Sequence, residues 1–495
     1  MSHSHLHPNR RQVLAGLACG TCLGGLSACG SPNPATGRQS FTGIMSTKDD
    51  AALGAQEHPK MLEAFGGEYQ NPRVTRYVTE VGRRLSQFAE FSEFNYRFTV
   101  LNSPVVNAFA LPGGFIYISR GLLALASNEA ELAGVLAHEI GHVTARHTAE
   151  RITAQQVAQI GLLGAALLGV DRGLLEAGQS IAGMAIQGYS RSQELEADTL
   201  GVRYMSQAGY DPDAMVSFLA TLGEHSRLEG RMLGLPEGQQ DQFNIMSTHP
   251  RTADRVREAQ AAANTRRPAN PIVGRDGYLG QIDGIMFGDD PKQGLVLGQR
   301  FVHPELRFEF SVPDGFLLRN RPDRVQAVHP GGAAIVFDMD KRGRESLATY
   351  LQQRWAKGVP LRQLQQLEVN GLPAITATAR GQGQQGPVDY RFLAMAGAGG
   401  QIYRFVYITP ARETARLSEA LQRSTFSFRT LSAQEAAKVN ALRLLIVRSR
   451  PEDSVAGLAR TLPFGRFNDD WFRVLNDLQP GQPLPAGTLT KVVAR

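Results

Sequence analysis

The stretch that most constrains this chain is His138-Glu139-Ile140-Gly141-His142, in a run that reads as a helix from about Asn128. Residues four apart stack on one helix face, so the two imidazoles converge on one point, and Glu139, one step round, reaches a molecule bound there. That geometry suits a zinc ion and a general base. Asn128 is the expected N-cap, with Glu131 completing a capping box. A catalytic zinc takes three protein ligands and keeps a fourth position open, so two histidines are not enough. The third candidate is Glu194, in Ser190-Arg191-Ser192-Gln193-Glu194-Leu195-Glu196-Ala197-Asp198, at the start of a helix running through Tyr204. Asp198, four residues on, shares its face and is placed to accept a hydrogen bond from the free ring nitrogen of a ligand histidine. Glu196 is expected to point elsewhere, and His147, five residues past His142, to be structural.

The start of the chain has a different logic. Arg10-Arg11 followed by the apolar run from Val13 to Leu26 reads as an export signal, too short to span a bilayer comfortably. The paired arginines resemble a twin-arginine signal, with Asn9 where Ser or Thr is usual. Leu26-Ser27-Ala28-Cys29 resembles the bacterial lipobox, which makes Cys29 the acylated first residue of the mature chain. Gly30, in place of an aspartate, favours the outer membrane as the anchor. The only other cysteines, Cys19 and Cys22, precede that point, so the mature chain is expected to lack disulfides. A formal charge of +6 over 495 residues, with no basic cluster, gives no nucleic-acid face. Ser31 to Arg38 is rich in Pro, Asn and Gly and reads as an extended tether.

Val74, Tyr77, Val78, Val81 and Leu85 fall at helical spacing, and three strands follow: Phe94 to Leu101, Val105 to Ala110 and Phe115 to Ser119. Gly161 to Val170 is apolar but ten residues long, so it reads as a buried helix or a flap over the site, and a further helical segment runs from about Gly173 to Gly188.

The histidine motif, the downstream Glu194-x-x-x-Asp198 with its preceding Ser-Arg, and Asn107-Ala108-Phe109-Ala110-Leu111-Pro112-Gly113-Gly114 together resemble the zinc endopeptidase family of the CAAX prenyl proteases and HtpX heat-shock proteases. The likeness runs from Asn33-Pro34-Ala35-Thr36-Gly37-Arg38 to Thr248-His249-Pro250 and Arg255. Without membrane helices after its signal, the chain resembles the soluble periplasmic branch, that of the β-barrel assembly-enhancing proteases. The resemblance implies that His138, His142 and Glu194 bind one zinc ion per chain, that Glu139 is the general base and that Asp198 orients a ligand from behind. It also implies that Asn107 and Ala108 lie on an edge strand beside the cleft, where an extended substrate adds itself as another strand. Such binding reads backbone more than side chain, which suits unfolded or misassembled envelope polypeptides. His249, in Ser247-Thr248-His249-Pro250, is the candidate to stabilise the oxyanion, or else to occupy the open zinc position and hold the enzyme silent. Arg255 is read as an ion-pair partner without chemistry of its own.

The expected architecture is α+β and multidomain. A lipoprotein signal (1–28) and tether (29–50) precede a mostly helical zincin-type metalloprotease domain with a small sheet (51–270). A linker (271–299) leads to an antiparallel α/β sandwich (300–432), and a small C-terminal α+β module (440–495) closes the chain. The sandwich, read with its helices on one side, weakly resembles PsbP and Mog1. The last module loosely resembles the peptidoglycan-binding LysM, with Asn476 near its usual asparagine, so peptidoglycan is a candidate partner. The reading is a lipid-anchored periplasmic zinc metalloendopeptidase. The alternative is a metal-stabilised chaperone or wall-associated scaffold with latent proteolysis.

Overall fold

The computed structural model describes residues 31–40, 42, 45–154, 188–232, 234, 249, 253–383 and 386–495. The export signal with Cys29, the apolar run 161–170 and most of the helical segment 173–188 lie outside the described residues. No described helix is long and apolar enough to cross a membrane.

The N-terminal segment is docked rather than extended as a tether. Strands β1 (Ser31–Pro32) and β2 (Gln39–Ser40) pair antiparallel, and α1 follows over Thr47–Ala64. Asn33 is buried and donates from its amide to the carbonyl of Thr144, 2.8 Å away. Arg146 donates to Asp50, Thr42 and the carbonyl of Met45. Pro and Gly in this stretch shape a turn that fits a surface, which composition alone does not distinguish from a flexible spacer.

Helix α2 (Pro72–Ser86) buries Val74, Val78, Val81 and Leu85 and turns Arg83 and Arg84 to solvent, as its spacing predicts. It backs a three-stranded sheet in the order β3-β5-β4: β3 (Arg97–Leu101) and β5 (Phe115–Ser119) are parallel, and β4 (Ala108–Leu111) is antiparallel to β5 and outermost. The β4–β5 turn passes so near α1 that a Cβ on Gly113, at φ +80°, would lie 2.4 Å from the Cα of Ala51.

A short α3 (Arg120–Leu125) leads to α4 (Glu129–Thr144), in which every residue after Glu129 is buried. Asn128 caps α4 by accepting from the N–H of Glu131, but the Glu131 carboxylate accepts from the N–H of Ser127 and the hydroxyl of Ser217, so the expected capping box is displaced. The carboxylate is drawn away by partners outside its own helix. Helices α5 (Arg191–Gln207) and α6 (Asp213–Met232) pack on α4, and α7 (Ala253–Thr265) packs on α5 and α6.

The segment 271–299 is not a linker. Its helix α8 (Arg275–Ile282) buries Tyr278, Leu279 and Ile282 in the first domain's core, and β6 (Met286–Phe287) pairs with the C-terminal module.

Beyond it, β7 (Leu295–Leu297), β8 (Arg300–His303) and β9 (Phe308–Ser311) begin a four-stranded sheet that β17 (Arg429–Thr430) completes. A seven-stranded antiparallel sheet runs β10-β11-β12-β16-β15-β14-β13, from β10 (Leu317–Asn320), β11 (Val325–Val328) and β12 (Ala334–Lys341) through β13 (Arg362–Val369), β14 (Leu372–Gly383), β15 (Gly386–Ala396) and β16 (Gln401–Pro410). Helices cover both faces, not one. Tyr350 and Leu351 pack on Ile375, Ala377 and Ala394, whereas Leu417 and Leu421 of α9 (Thr414–Phe426) pack with Leu393 and Phe405, whose side chains alternate to the other face.

The last module has two antiparallel strands, β18 (Leu442–Arg448) and β19 (Leu489–Ala494), around α10 (Val455–Ala459) and α11 (Asn468–Asn476). Leu444, Phe472, Leu475 and Val493 belong to the same core as α4. Lys491 is buried and donates to the carbonyls of Ala124, Leu125 and Ala126 at 3.0, 2.9 and 2.8 Å, closing the C-terminal end of α3. Asn476 ties the module to itself: its amide donates to the carbonyls of Phe472 and Lys491, and its oxygen accepts the Lys491 N–H.

Candidate metal centre

Two helices build the centre. On α4, His138 and His142 point their Nε2 atoms at one spot, 3.1 Å apart. On α5, the Ser190 hydroxyl and Gln193 amide form a capping box that fixes the first turn, where Glu194 sits. The helices touch through Gly141: a Cβ there would lie 2.9 Å from the carbonyl oxygen of Ala197. Glu194 thereby comes within 3.5 Å of His142 Nε2 and 3.6 Å of His138 Nε2. His249 supplies a fourth donor, its Nδ1 3.0 Å from Glu194 and 3.2 Å from His138 Nε2. One donor atom from each of His138, His142, Glu194 and His249 lies within 4.8 Å of the others, and all four residues are buried.

These residues fit a zinc ion by the chemistry of the donor set: neutral imidazole nitrogens and one carboxylate, converging in a buried site. Burial holds His142 well below the ordinary imidazole range, which keeps its ring neutral. Burial pushes Glu194 upward, but His249, His142 and Arg255 outweigh it and hold the carboxyl well below the usual range, so it is ionised. Burial raises Glu139, as a proton acceptor in a dry site requires. Its carboxylate is 3.7 Å from His249 Nε2.

The supporting groups explain the orientation. Asp198 Oδ1 is 2.9 Å from His138 Nδ1, the nitrogen turned away from the centre. Arg255, from α7, donates to both oxygens of Asp198 at 2.7 and 2.8 Å and also reaches Glu194 at 2.6 Å. It lies behind the centre and joins its two carboxylates, a larger part than the sequence gives it. Two further residues are invisible in the motif. His147, structural as expected, sets its Nδ1 2.8 Å from His142 Nδ1 and its Nε2 3.0 Å from Glu196, so Glu196 does not point away from the site. Tyr189 stacks on the His142 ring with 3.7 Å between centroids, and Arg151 lies over the far side of the tyrosine.

Ala108 opens β4 and Asn107 immediately precedes it. The Asn107 N–H donates to the Ser119 hydroxyl, its carbonyl accepts the Ser119 N–H, and Ala108 pairs with Ile118. Ala110 and Leu111 on β4 line a narrow cavity with His142 and Val143, which sets this strand against the motif helix. A second small cavity, walled by Val135, Met215, Phe218 and Leu222, opens beside Glu139 and His249.

Residues 72–263 match the family model of peptidase family M48. This segment belongs to peptidase family M48. Among similar proteins, the β-barrel assembly-enhancing protease of Yersinia pestis is 31% identical over 244 residues, 48% of this chain and 48% of its own length. That of Escherichia coli K12 is 33% identical over 218 residues, covering 42% of this chain and 43% of its own. The mitochondrial metalloendopeptidase OMA1 of Schizosaccharomyces pombe is 36% identical over 232 residues, covering 46% and 64%. The chain thus spans about half the length of the first two relatives. Among solved structures, cyanobacterial PsbP from Synechocystis aligns over 27% of this chain and 91% of its own at 12% identity, with a TM-score of 0.22, too low to support an argument.

Proposed function

We propose that the chain is a zinc metalloendopeptidase acting on unfolded or misassembled polypeptides of the bacterial envelope. The observation that carries the reading is the convergence of His138 Nε2, His142 Nε2 and the Glu194 carboxylate, with Glu139 alongside. Zinc bound by these three residues would polarise a peptide carbonyl and bring the pKa of its water near 7. Glu139 takes the proton of the attacking water and returns it to the leaving nitrogen. Asp198, held by Arg255, keeps the His138 ring turned with Nε2 inward. Val135, Phe218 and Leu222 offer an apolar side chain a place beside the scissile bond.

His249 has two roles open to it. Burial favours its neutral form, but Glu194 and Glu139 outweigh burial and raise the imidazole above its ordinary range, which would suit a donor to a developing oxyanion. Its Nδ1, however, lies among the ligand atoms, which favours the closing role in this conformation. The substrate reading rests on the names of the assembly-enhancing relatives and on β4 as an outer strand; periplasmic location, a lipid at Cys29 and an outer-membrane anchor complete the proposal.

The test is a substrate trap. Glu139→Gln is expected to keep zinc, lose casein cleavage and retain envelope polypeptides that the wild type releases. His249→Ala is expected to cleave faster than wild type if the ring closes the site, and more slowly if it serves the oxyanion. A Gln variant that cleaves at the wild-type rate sinks the mechanism.

A further inference from the structure

The two ligand histidines are supported in parallel ways, and the second support leads out of the catalytic helices altogether. The first runs His138 Nδ1 to Asp198 to Arg255, all within α4, α5 and α7. The second begins at His142 Nδ1, 2.8 Å from His147 Nδ1. It continues from His147 Nε2 to Glu196 Oε2 at 3.0 Å and from Glu196 to Arg38 Nη2 at 3.2 Å. Arg38 follows the β1–β2 turn in the docked N-terminal segment and also holds Glu150 at 3.0 Å.

The hydrogens in this second chain can be arranged in one consistent way. An imidazole that offers Nε2 to a metal carries its proton on Nδ1, so His142 is the donor and His147 Nδ1 the acceptor. His147, accepting at Nδ1, then carries its own proton on Nε2 and donates it to Glu196 Oε2, 3.0 Å away. Glu196 receives His147 and Arg38 on the same carboxylate oxygen, at 3.0 and 3.2 Å. Every donor meets an acceptor from Arg38 to His142. Asn33 fixes the same segment independently by donating to Thr144, two residues past His142.

We infer that the N-terminal segment is part of the metal centre's support, with Arg38, Glu196 and His147 acting as positioning residues that hold the His142 ring with Nε2 inward. The inference rests on the zinc reading above. Outer partners of ligand histidines typically contribute ten- to hundredfold in metal affinity. The segment therefore couples whatever holds the chain's N-terminus to occupancy of the site, which a passive spacer would not do.

The experiment measures zinc dissociation constants by chelator competition on the full chain for wild type, Arg38→Ala, Glu196→Ala, Glu196→Gln and the Arg38→Ala/Glu196→Ala double variant. The d–d spectrum of the cobalt-substituted proteins and urea unfolding without metal are recorded alongside. Arg38 and Glu196 are partly exposed, with 44% and 19% of their side-chain surface accessible, so these variants are expected to fold. Glu196→Ala is expected to weaken zinc binding by about ten- to hundredfold and alter the cobalt spectrum, with Glu196→Gln intermediate. Arg38→Ala should weaken binding several-fold in the wild type and add little in the Glu196→Ala background. Zinc affinities within twofold of wild type for both Arg38→Ala and Glu196→Ala, with one zinc per wild-type chain, overturn the inference while leaving the metal centre intact. A wild-type chain that binds no zinc overturns the metal-centre reading itself, and the inference with it.

Discussion

At the scale of single residues, the centre depends on groups that no local spacing reveals. Glu194 and Asp198 are legible because four residues on a helix share a face, and His138 and His142 for the same reason. His147 is not. Helix α4 ends at Thr144 and Arg146 takes φ +57°, a left-handed turn that brings the His147 ring against His142 Nδ1. Arg255 is similarly hidden, because Asp198 lies 57 residues earlier in the chain, Glu194 earlier still, and both are on another helix. Its loss would leave Glu194 and Asp198 as buried charges without their shared cation. Arg255→Leu is therefore expected to destabilise the metal-free chain by about 3–5 kcal/mol, read as a lower urea midpoint, and to weaken zinc binding. An unchanged midpoint would mean that Arg255 is peripheral.

At the scale of elements, the contact between α4 and α5 decides whether the donors meet. Gly141 permits it, because its missing Cβ leaves room for the Ala197 carbonyl. The alanine variant, Gly141→Ala, gains helix propensity yet pushes α5 outward at the turn carrying Glu194, so it is expected to cost about 1–3 kcal/mol and to reduce zinc affinity. Unaltered stability and affinity would show that the helices separate freely there. The same scale explains which elements the sequence hides. Strand β13, Arg-Gln-Leu-Gln-Gln-Leu-Glu-Val, is an exposed edge whose side chains alternate without a buried face, so it carries no period-two signal. Strands β14 and β15 are buried on both faces at Ala374–Ala377 and Leu393–Met395, and β16 alternates from Tyr403 on, so they carry an apolar signal that β13 lacks.

For the molecule as a whole, the C-terminal module is continuous with the catalytic core. Sequence order suggests a detachable unit, because a strand–helix–helix–strand run looks self-sufficient; burial of Leu444, Phe472 and Val493 in one core with the residues of α4 says otherwise. Lys491 fastens this contact, since three carbonyls at the end of α3 take its three N–H groups. Burial draws its ammonium down to about 7, with Glu131 acting against that. Removing residues 440–495 is thus expected to yield aggregated or unfolded protein rather than a free protease domain. Lys491→Met should cost about 3 kcal/mol, by leaving buried carbonyls unpaired, as read by urea unfolding. A truncated chain that stays folded and monomeric would contradict the shared core.

The measurement that bears most directly on the central claim compares zinc content and casein cleavage in wild type and Glu139→Gln. One zinc per chain in both, with cleavage in the wild type alone and lost on chelation, is the predicted result. Wild-type cleavage that persists without metal, or a Gln variant as active as wild type, would contradict it.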